Sequence, residues 1–379
     1  PTADVPLSPM PSSRAKALVK QFIPDPLLDA RGRALHMFRD LMEVPRLVDE
    51  VRTYYPTAKR KSKARILLEN MWWRWRHRQL NNHYFLYGLD RRGASLSDCL
   101  PHPDFARIRD RGNEDAYTGL LRDKFVFAQL ARSLGHATPE LLARIDGSTL
   151  EWLTPRRTRR PLDALLERDL DAVAKPVRGG QGRGVFRLRT DQGSLFVDGV
   201  SASVASLRDR LAERYVLQRR IEQHTALAAL HPRSVNTLRL VTAQRNGAVE
   251  LLSAALRVGA GGSSTDNWSR GGLAAYVDAD SGATRTPGVF KHGPRTTVAR
   301  HPDTGVSLDG YPIPHFPEAL ALARRCHADL PGLRTVGWDV AITPNGPTLL
   351  EGNSEYGGSI HQAVDDEFAD RFLALFDEA

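Results

Sequence analysis

Three oxygen-bearing side chains lie along a segment that the sequence pattern predicts to be a β-hairpin. An apolar run at 336–342 is followed by a Pro-Asn-Gly-Pro turn at 344–347 and a second apolar pair. Asp339 lies on the outgoing strand, and Glu351 and Asn353 lie on the returning one. Because residues i and i+2 of a strand share a face, the hairpin can place all three together. Two carboxylates and an amide oxygen suit a hard cation such as Mg²⁺. A half-buried hairpin with a polar wet face is the alternative.

A glycine-rich loop between two predicted strands is the second candidate for chemistry. Four glycines fall within residues 179–184, and Lys175 precedes them. Glycines let the backbone N–H groups approach an anion closely, and the lysine can reach the same phosphates as a point charge. Residues 185–189 alternate like a strand, whereas a Walker loop or a dinucleotide fingerprint requires a helix directly after the glycines. We therefore expect a glycine-rich hairpin folded over phosphates, with a flexible turn as the alternative.

Cationic side chains elsewhere extend the candidate set. Lys124 begins a predicted helix and, taken by itself, is an ordinary surface lysine. Arg239 lies on the strand-like run 236–241, where a guanidinium among apolar residues needs an anionic partner. That partner is either a substrate carboxylate, which the planar fork of arginine matches, or a structural carboxylate. Arg257, also on a predicted strand, and Arg270, before a glycine pair, are second candidates for the catalytic arginine.

A loop rich in glycine and in turn-forming residues spans 259–272. Such a segment is typical of a plain connection, but loops beside active sites often close over the substrate. We expect this one to contact substrate through Asp266, Asn267, Gly271 and Gly272.

Composition favours an anionic partner. The 379 residues carry a formal net charge of +9, which suits nucleotides, phosphorylated substrates or nucleic acid. Two basic runs, at 59–65 and 156–160, are not interleaved with a recognisable nucleic-acid module. We interpret both runs as solvated surface.

Several classes of protein and site are excluded or disfavoured. No stretch approaches the roughly 18 apolar residues of a membrane span, and residues 1–10 lack the apolar core of a signal peptide. Cys99 and Cys326 are expected to be free thiols in a reducing cytoplasm. The sequence contains no Gly-x-Ser-x-Gly motif, which disfavours a serine hydrolase. No spacing among the 12 histidines resembles a zinc motif, and we expect structural or exposed roles for three of them, His301, His315 and His361.

The order of elements indicates a helical part followed by an α+β part. Residues 14–112 are predicted to be helical, and an apolar stripe between 67 and 75 is predicted to pack against other helices rather than to stack on bases. A helix at 121–134, ended by Gly135, opens the second part. Short strands and helices then alternate up to the hairpin, and a helix near 365–375 closes the chain. The pattern predicts an α+β fold with much antiparallel sheet.

Taken in order, these motifs resemble the ATP-grasp superfamily. Within it, the chain is most similar to the sugar-transfer-associated ATP-grasp group, which is related to the α-L-glutamate ligases. The resemblance covers roughly residues 60 to 375. It rests on an ordered set of short motifs: Asp123-Lys124, Lys175 with the glycine-rich loop, 217–221, 234–239, Asp266-Asn267, 271–273, 301–305, 337–339 and 350–353.

The resemblance implies a domain organisation and a set of ligands. An ATP-grasp fold consists of two α+β subdomains that clasp ATP. Here it would follow a helical N-terminal region at 1–112, with the N-terminal and glycine-rich-loop subdomains at 113–222 and the catalytic subdomain at 223–379. ATP and one or two Mg²⁺ ions, or Mn²⁺, are the implied cofactors.

The resemblance also assigns roles to residues. Implied phosphate contacts are Lys124, Lys175, Gly179, Gly180, Gln181 and Gly182; implied adenine and ribose contacts are Gln218, Ile221 and Glu222; implied metal ligands are Asp339, Glu351 and Asn353. One departure is visible, because many ATP-grasp enzymes carry an acidic residue where this chain has Gln218-Arg219-Arg220.

The implied reaction is the ATP-dependent joining of a small-molecule carboxylate to an amine. The γ-phosphoryl group activates the carboxylate as an acyl phosphate, the amine displaces phosphate, and ADP is released. Two alternatives stay open: a kinase-like phosphotransferase on the same fold, and a non-catalytic basic protein that binds nucleotide or nucleic acid. The implied partners are small molecules, and neither substrate is identified by the sequence.

Overall fold

A computed structural model describes most of the chain. The helical prediction for the N-terminal region falls in part on residues 1–58, which lie outside the described residues. Residues 60–82 belong to one compact unit and residues 83–377 to another. The described ranges are 59–77, 81–180, 182–211, 213–285, 287–292 and 297–377.

Helix α1 (Lys63–His77) is the regular element of the first unit within the described ranges. Its buried face is formed by Ile66, Asn70, Trp73 and Arg74. The packing predicted for the apolar stripe is therefore wrong, because the helix buries the neighbouring face instead. Four side chains of the predicted stripe are exposed by 40% to 73%, namely Leu68, Met71, Trp72 and Trp75.

Three helices open the second unit: α2 (His102–Gly112), α3 (Asp115–Arg122) and α4 (Lys124–Ser133). The single helix predicted at 121–134 is divided at Asp123. The Asp123 carboxylate accepts hydrogen bonds from the backbone N–H groups of Phe125 and Val126, at 3.0 and 3.1 Å, and so begins a new helix. The predicted cap is confirmed, since Gly135 has a φ of +77° just after the helix ends.

The first sheet has eight antiparallel strands within residues 141–219. Their order is β3-β2-β1-β8-β4-β5-β6-β7. One face buries a leucine-rich core beneath the short 3₁₀ helix Leu162–Glu167, and the other packs against α4. The strands are β1 (Leu141–Asp146), β2 (Thr149–Trp152), β3 (Thr158–Pro161), β4 (Leu170–Pro176), β5 (Phe186–Asp191), β6 (Ser194–Val197), β7 (Val200–Ala202) and β8 (Tyr215–Arg219).

The second sheet has seven antiparallel strands within residues 237–353, in the order β13-β12-β11-β10-β9-β14-β15. Helix α7 (Phe316–Ala328) packs on one face and forms the largest apolar core of the unit with it. The strands are β9 (Thr237–Arg245), β10 (Ala248–Val258), β11 (Leu273–Tyr276), β12 (Gly288–Phe290), β13 (Thr297–Val298), β14 (Thr335–Thr343) and β15 (Gly346–Asn353).

Four short helices complete the second unit: α5 (Val204–Arg210), α6 (Thr225–Leu230), α8 (Ser359–Val364) and α9 (Phe368–Ala374). The predicted final helix begins at Phe368 rather than at residue 365, and α8 precedes it. Phe368 and Phe372 pack with Phe105 against the second face of the second sheet.

The predicted α+β class is confirmed by the two antiparallel sheets and their covering helices. The subdomain boundaries at 112/113 and 222/223 stay a prediction. Cys99 and Cys326 are both buried, and they are not joined in a disulfide, as expected. Every helix in the described ranges is too short or too polar to cross a bilayer.

Candidate active site

A row of polar side chains crosses the second sheet on the face opposite α7. Asp339 of β14 pairs with Glu351 of β15 on one side and with Arg239 of β9 on the other. Gly337, two residues earlier, pairs with Asn353. Because directly paired residues of antiparallel strands project to the same face, these side chains point to one side of the sheet. The hairpin pattern allowed Asp339 to lie opposite Glu351, and a shift of register between Asp339 and Val340 brings the two residues into a direct pair.

The alternation of β14 explains why this row is held in place. Val336, Trp338 and Val340 point to the opposite face, where each is fully buried in the core under α7. The indole N–H of Trp338 donates a 2.8 Å hydrogen bond to the hydroxyl of Thr242 in that core. The apolar residues therefore fix the register that presents Asp339.

Two arginines converge on the Asp339 carboxylate. Arg239 Nε lies 2.7 Å from Asp339 Oδ1, and Arg257 Nη2 lies 3.2 Å from Asp339 Oδ2. Burial lowers the pKa of Arg239, and the Asp339 charge opposes this shift. Burial also acts to lower the pKa of Arg257, but the neighbouring carboxylates Asp266 and Asp339 hold that pKa above its ordinary value.

Asp266 lies behind Arg257 rather than open to a ligand. Its Oδ2 atom accepts hydrogen bonds from the backbone N–H of Thr237 at 3.1 Å and from Arg257 Nε at 3.2 Å. The Thr237 hydroxyl donates to the same oxygen and accepts from Arg257 Nη2 at 2.7 Å. Burial raises the pKa of Asp266. The residue predicted to touch substrate thus has its carboxylate engaged in orienting a guanidinium.

Two buried polar atoms of this cluster are left unsatisfied. Asp339 Oδ1 and Arg239 Nε lie close together, yet neither has a hydrogen-bonding partner of suitable geometry. An unmet carboxylate oxygen beside the Glu351 carboxylate is what a bound divalent cation would satisfy. The donor set Asp339, Glu351 and Asn353 consists of oxygen atoms and fits Mg²⁺ or Mn²⁺.

Lys124 connects the second sheet to the glycine-rich loop. Its ammonium donates to the backbone carbonyl of Gly179 at 2.6 Å and lies 3.2 Å from Glu351 Oε1. The capping of α4 by Asp123 sets this position, because Lys124 is the first residue of the helix. The lysine that was unremarkable in the sequence is therefore one of the best-placed cations of the site.

Lys175 lies on β4 at the base of the same loop. Burial lowers the pKa of Lys175 from its ordinary value, the charges of Glu351 and Asp339 act to raise it, and Lys124 acts to lower it. A small cavity of about 100 Å³ is lined by Lys124, Lys175, Asp339 and Glu351 together with residues of the loop. The structure thus brings both lysines and both carboxylates to one place.

The glycine-rich loop forms a wall of a second, larger cavity. Gly179 and Gly180 line a space of about 510 Å³ together with Glu351 and Asn353. Gly179 and Gly182 adopt φ values of +111° and +66°, which suit glycine. Gln181, predicted to contact phosphate, lies outside the described residues.

The residues predicted to bind adenine and ribose lie at the end of β8. Gln218 is buried and pairs with Val173, while Lys175 pairs with Val216, so Gln218 and Lys175 share a face of the first sheet. Ile221 is half-buried and Glu222 is exposed in the segment that follows. The two arginines of the departing Gln-Arg-Arg motif point to carboxylates, Arg219 to Glu140 at 2.6 Å and Arg220 to Asp171 at 2.9 Å.

The remaining predicted residues occupy a turn after Asp266. Asn267 begins a short 3₁₀ helix by accepting a hydrogen bond from the Ser269 N–H at 2.9 Å. Arg270 is exposed, and Gly271 has a φ of +97°. A Cβ atom at Gly272 would lie 2.8 Å from the Asp266 carbonyl oxygen, so the backbone there requires glycine. These contacts indicate that Asn267, Gly271 and Gly272 shape the turn.

Two residues of the site were missed by sequence reasoning. Thr237 organises Asp266 and Arg257, and its position two residues before Arg239 on a predicted strand was the available signal. Arg178, which directly precedes the glycines, lines both cavities. Lys124, Lys175, Arg239 and Arg257 oppose the three carboxylates Asp266, Asp339 and Glu351, and Arg178 adds a further positive charge. This excess of positive charge favours an anionic ligand.

The two antiparallel sheets and the match of a family model confirm the predicted ATP-grasp fold. The chain belongs to the family described as Sugar-transfer associated ATP-grasp, which it matches over residues 106–374. The resemblance drawn from the sequence is confirmed by this match.

Similar solved structures are distant. The D-alanine–D-alanine ligase from Helicobacter pylori is 13% identical with a TM-score of 0.39, covering 69% of this chain and 61% of that one. The RimK domain ATP-grasp protein from Sphaerobacter thermophilus is 15% identical with a TM-score of 0.37, covering 69% of each chain. This chain thus spans about three fifths of the Helicobacter pylori enzyme, and these similarities carry no inference about its reaction. No curated protein matches the chain.

Proposed function

We propose that this protein is an ATP-dependent ligase that joins a carboxylate to an amine, with ADP and phosphate as the other products. The observation that carries the proposal is the convergence on Asp339 and Glu351 of two arginines from one sheet and a lysine that also holds the glycine-rich loop. The lysine is complementary in charge to a triphosphate, the two carboxylates to a divalent cation, and the two arginines to an anionic acceptor.

The triphosphate is assigned to the cleft between the loop and Glu351. Lys124 and Lys175 would neutralise its oxygens, and the backbone of Gly179 and Gly180 can approach it without side-chain hindrance. Lys124 would then exchange the Gly179 carbonyl for a phosphate oxygen. Gln218, on the same face as Lys175, is proposed to meet the adenine, with Ile221 and Glu222 next to it.

Asp339, Glu351 and Asn353 are proposed to hold one or two Mg²⁺ ions. Bound there, Mg²⁺ would neutralise the charge on the phosphate oxygens and so favour phosphoryl transfer. Arg239 and Arg257, which neutralise Asp339 in the absence of a cation, would then have N–H groups available for another anion.

The acyl substrate is assigned to these two arginines. A planar guanidinium matches a carboxylate and, later, the oxyanion formed when the amine attacks the acyl phosphate. Asp266 and Thr237 hold Arg257 from behind, so we propose a positioning role for them in place of direct substrate contact. Arg270 is exposed at the neighbouring turn and remains a second candidate for binding substrate.

The basic runs favour a small-molecule ligand over nucleic acid. Two arginines of the run at 156–160 are paired with carboxylates, Arg157 with Glu151 and Arg160 with Glu167, each at 2.6 Å, which offsets part of the charge that the run offers to a polyanion. In the other run, Lys61 is buried against Glu69 at 2.7 Å. The cations that face the cleft, Lys124, Lys175, Arg239 and Arg257, belong to neither basic run.

Hydroxylamine trapping tests the proposed reaction. The protein is incubated with ATP, Mg²⁺, hydroxylamine and pools of amino acids or other small carboxylates, and the products are separated by mass spectrometry. Hydroxylamine replaces the amine, so an acyl phosphate would yield a hydroxamate together with an equal amount of ADP. Glu351→Gln should lose both products, whereas Glu318→Gln, at an exposed carboxylate of α7, should keep them.

Two results would overturn the proposal. AMP and pyrophosphate in place of ADP would indicate adenylation of the carboxylate. A stable phosphorylated compound that accumulates at saturating hydroxylamine would indicate the phosphotransferase alternative.

A further inference from the structure

A second polar cluster lies on the far side of the loop that contains Asp266. His231, His301 and Asp303 each offer one ligand atom, and these atoms lie within 4.8 Å of one another. His231 and His301 are 2% and 1% exposed, whereas Asp303 opens to solvent. The two histidines are separated by 70 residues of sequence, so no spacing motif could have indicated the cluster.

The hydrogen bonds of both histidines define which ring nitrogen carries a proton. His231 Nε2 lies 3.0 Å from the carbonyl oxygen of Ser263, and His301 Nε2 lies 2.7 Å from that of Gly259. A carbonyl only accepts, so each Nε2 must be the N–H donor in a neutral ring, and each Nδ1 then carries a lone pair. Ligation through one nitrogen while the other donates to a carbonyl is the arrangement that metal-binding histidines use.

The lone pair on His231 has no satisfying partner. His231 Nδ1 is buried without a hydrogen bond, and an acceptor atom, Asp303 Oδ2, lies 3.6 Å from it. The His301 Nδ1 atom accepts only a long 3.3 Å hydrogen bond from the Asp303 backbone N–H. A buried ring nitrogen without a partner, beside a carboxylate oxygen, is what a bound cation would satisfy.

We infer that His231, His301 and Asp303 form a binding site for a transition-metal ion, with Zn²⁺ as the best match. Two imidazole nitrogens and one carboxylate oxygen are zinc ligands, and water would complete a tetrahedron. Bond lengths of about 2.0 to 2.1 Å place tetrahedral ligand atoms about 3.4 Å apart, close to the His231–Asp303 separation. Mg²⁺ prefers an all-oxygen shell, so it would not compete here.

The ion would link the first part of the 259–272 loop to the segments that contain His231 and His301. All three ligands already contact this loop, since Asp303 Oδ2 also accepts a 2.6 Å hydrogen bond from the Gly261 N–H. Ser263 and Gly259 are the carbonyl partners of the histidines. A bound ion would therefore restrain residues 259–263. Asp266, three residues further along the same loop, accepts a hydrogen bond from Arg257.

The test uses the full chain without a polyhistidine tag, stripped of metal by a chelator and returned to Mg²⁺ buffer. Zn²⁺ affinity is measured by competition with a chromophoric chelator, and retained Zn²⁺ is counted by elemental mass spectrometry after gel filtration. We expect one Zn²⁺ per chain, at least tenfold weaker binding in Asp303→Asn, and unchanged binding in Asp309→Asn, an exposed carboxylate six residues further on. Zn²⁺ should also slow amide hydrogen exchange in peptides that span 259–265, and should do so less in Asp303→Asn.

Either of two outcomes would overturn the inference. The first is a folded wild-type chain that retains no stoichiometric Zn²⁺. The second is Zn²⁺ binding that is equal in wild type and Asp303→Asn. None of these measurements requires turnover, so the proposed ligase activity and the metal site can fail independently.

Discussion

The two sides of the cleft are built in different ways. On the second sheet, Asp339, Glu351 and Arg239 are paired directly across adjacent strands, and their positions follow from the register. On the first sheet, Lys175 stands at the base of a loop whose glycines adopt left-handed backbone angles, and Lys124 reaches that loop from a helix. The side assigned to the metal and the acyl substrate is thus rigid, whereas the side assigned to phosphates depends on a loop with little side-chain packing. In the proposed reaction, the alignment of the reacting groups and the admission of the nucleotide would therefore depend on different parts of the cleft.

The largest expected effect comes from removing charge on the rigid side. Asp339→Asn should lower the turnover of ATP at least about a hundredfold, because a proposed metal ligand is lost and two arginines lose their shared carboxylate. The measurement is the rate of ADP formation, with circular dichroism to establish that the variant folds. Asp370→Asn, on the exposed face of α9, is the matched control. Wild-type turnover in Asp339→Asn would refute the metal assignment.

The next effect tests whether the rigid side depends on its supporting contacts. Asp266→Asn should destabilise the protein by about 3 kcal/mol, because a buried guanidinium loses much of its compensating charge. Chemical denaturation measures the change, and the exposed Asp280→Asn is the control. An unchanged unfolding midpoint would mean that Asp339 alone is sufficient to neutralise Arg257.

A smaller effect is expected on the loop side, and it depends on pH. Burial lowers the pKa of Lys175, so in the free protein its charge is lost at a lower pH than for an ordinary lysine. A bound triphosphate favours the charged form, and ATP affinity should therefore fall severalfold as the pH rises from about 7 to about 10. Equilibrium binding of ATP to wild type and to Lys175→Arg measures this fall. The arginine variant keeps its charge and should show a flatter profile, whereas identical profiles would count against Lys175 as a phosphate ligand.

The smallest effect separates two uses of glycine in the same loop. A Cβ atom at Gly184 would lie 2.9 Å from Pro176 Cγ and from Tyr215 Oη, and the φ there is +70°. Gly184→Ala should therefore cost about 1 to 2 kcal/mol of stability. Gly180→Ala meets open space and should leave stability within about 0.5 kcal/mol, while weakening ATP binding if phosphate approaches the backbone there. Equal unfolding midpoints for the two variants would contradict this distinction.

The difference between the two sides also explains which features sequence reasoning recovered. The hairpin itself followed from its turn and from the apolar pattern of its strands, which are local rules. The direct pairing of Asp339 with Glu351 also needs a shift of register between Asp339 and Val340, which no local rule indicated. The contact of Asp266 with Thr237 was not predictable, because it depends on how a 14-residue loop folds back across a sheet. Apolar periodicity concealed the break at Asp123, since α3 and α4 bury residues on both sides of it. The His231–His301 cluster could not be predicted from spacing either, because it also depends on how distant loops fold together.

The placement of Trp338 directly beside Asp339 has a consequence for how the protein tolerates change. A slip of β14 by one residue against β9 would turn the indole into the polar cleft and the carboxylate into the core under α7. The same slip would therefore misplace the polar residues of the cleft and disrupt the packing of the core. A chain with the wrong pairing would fail to fold stably, rather than fold with a misaligned site. Stable folding and the correct placement of Asp339 thus depend on the same strand register.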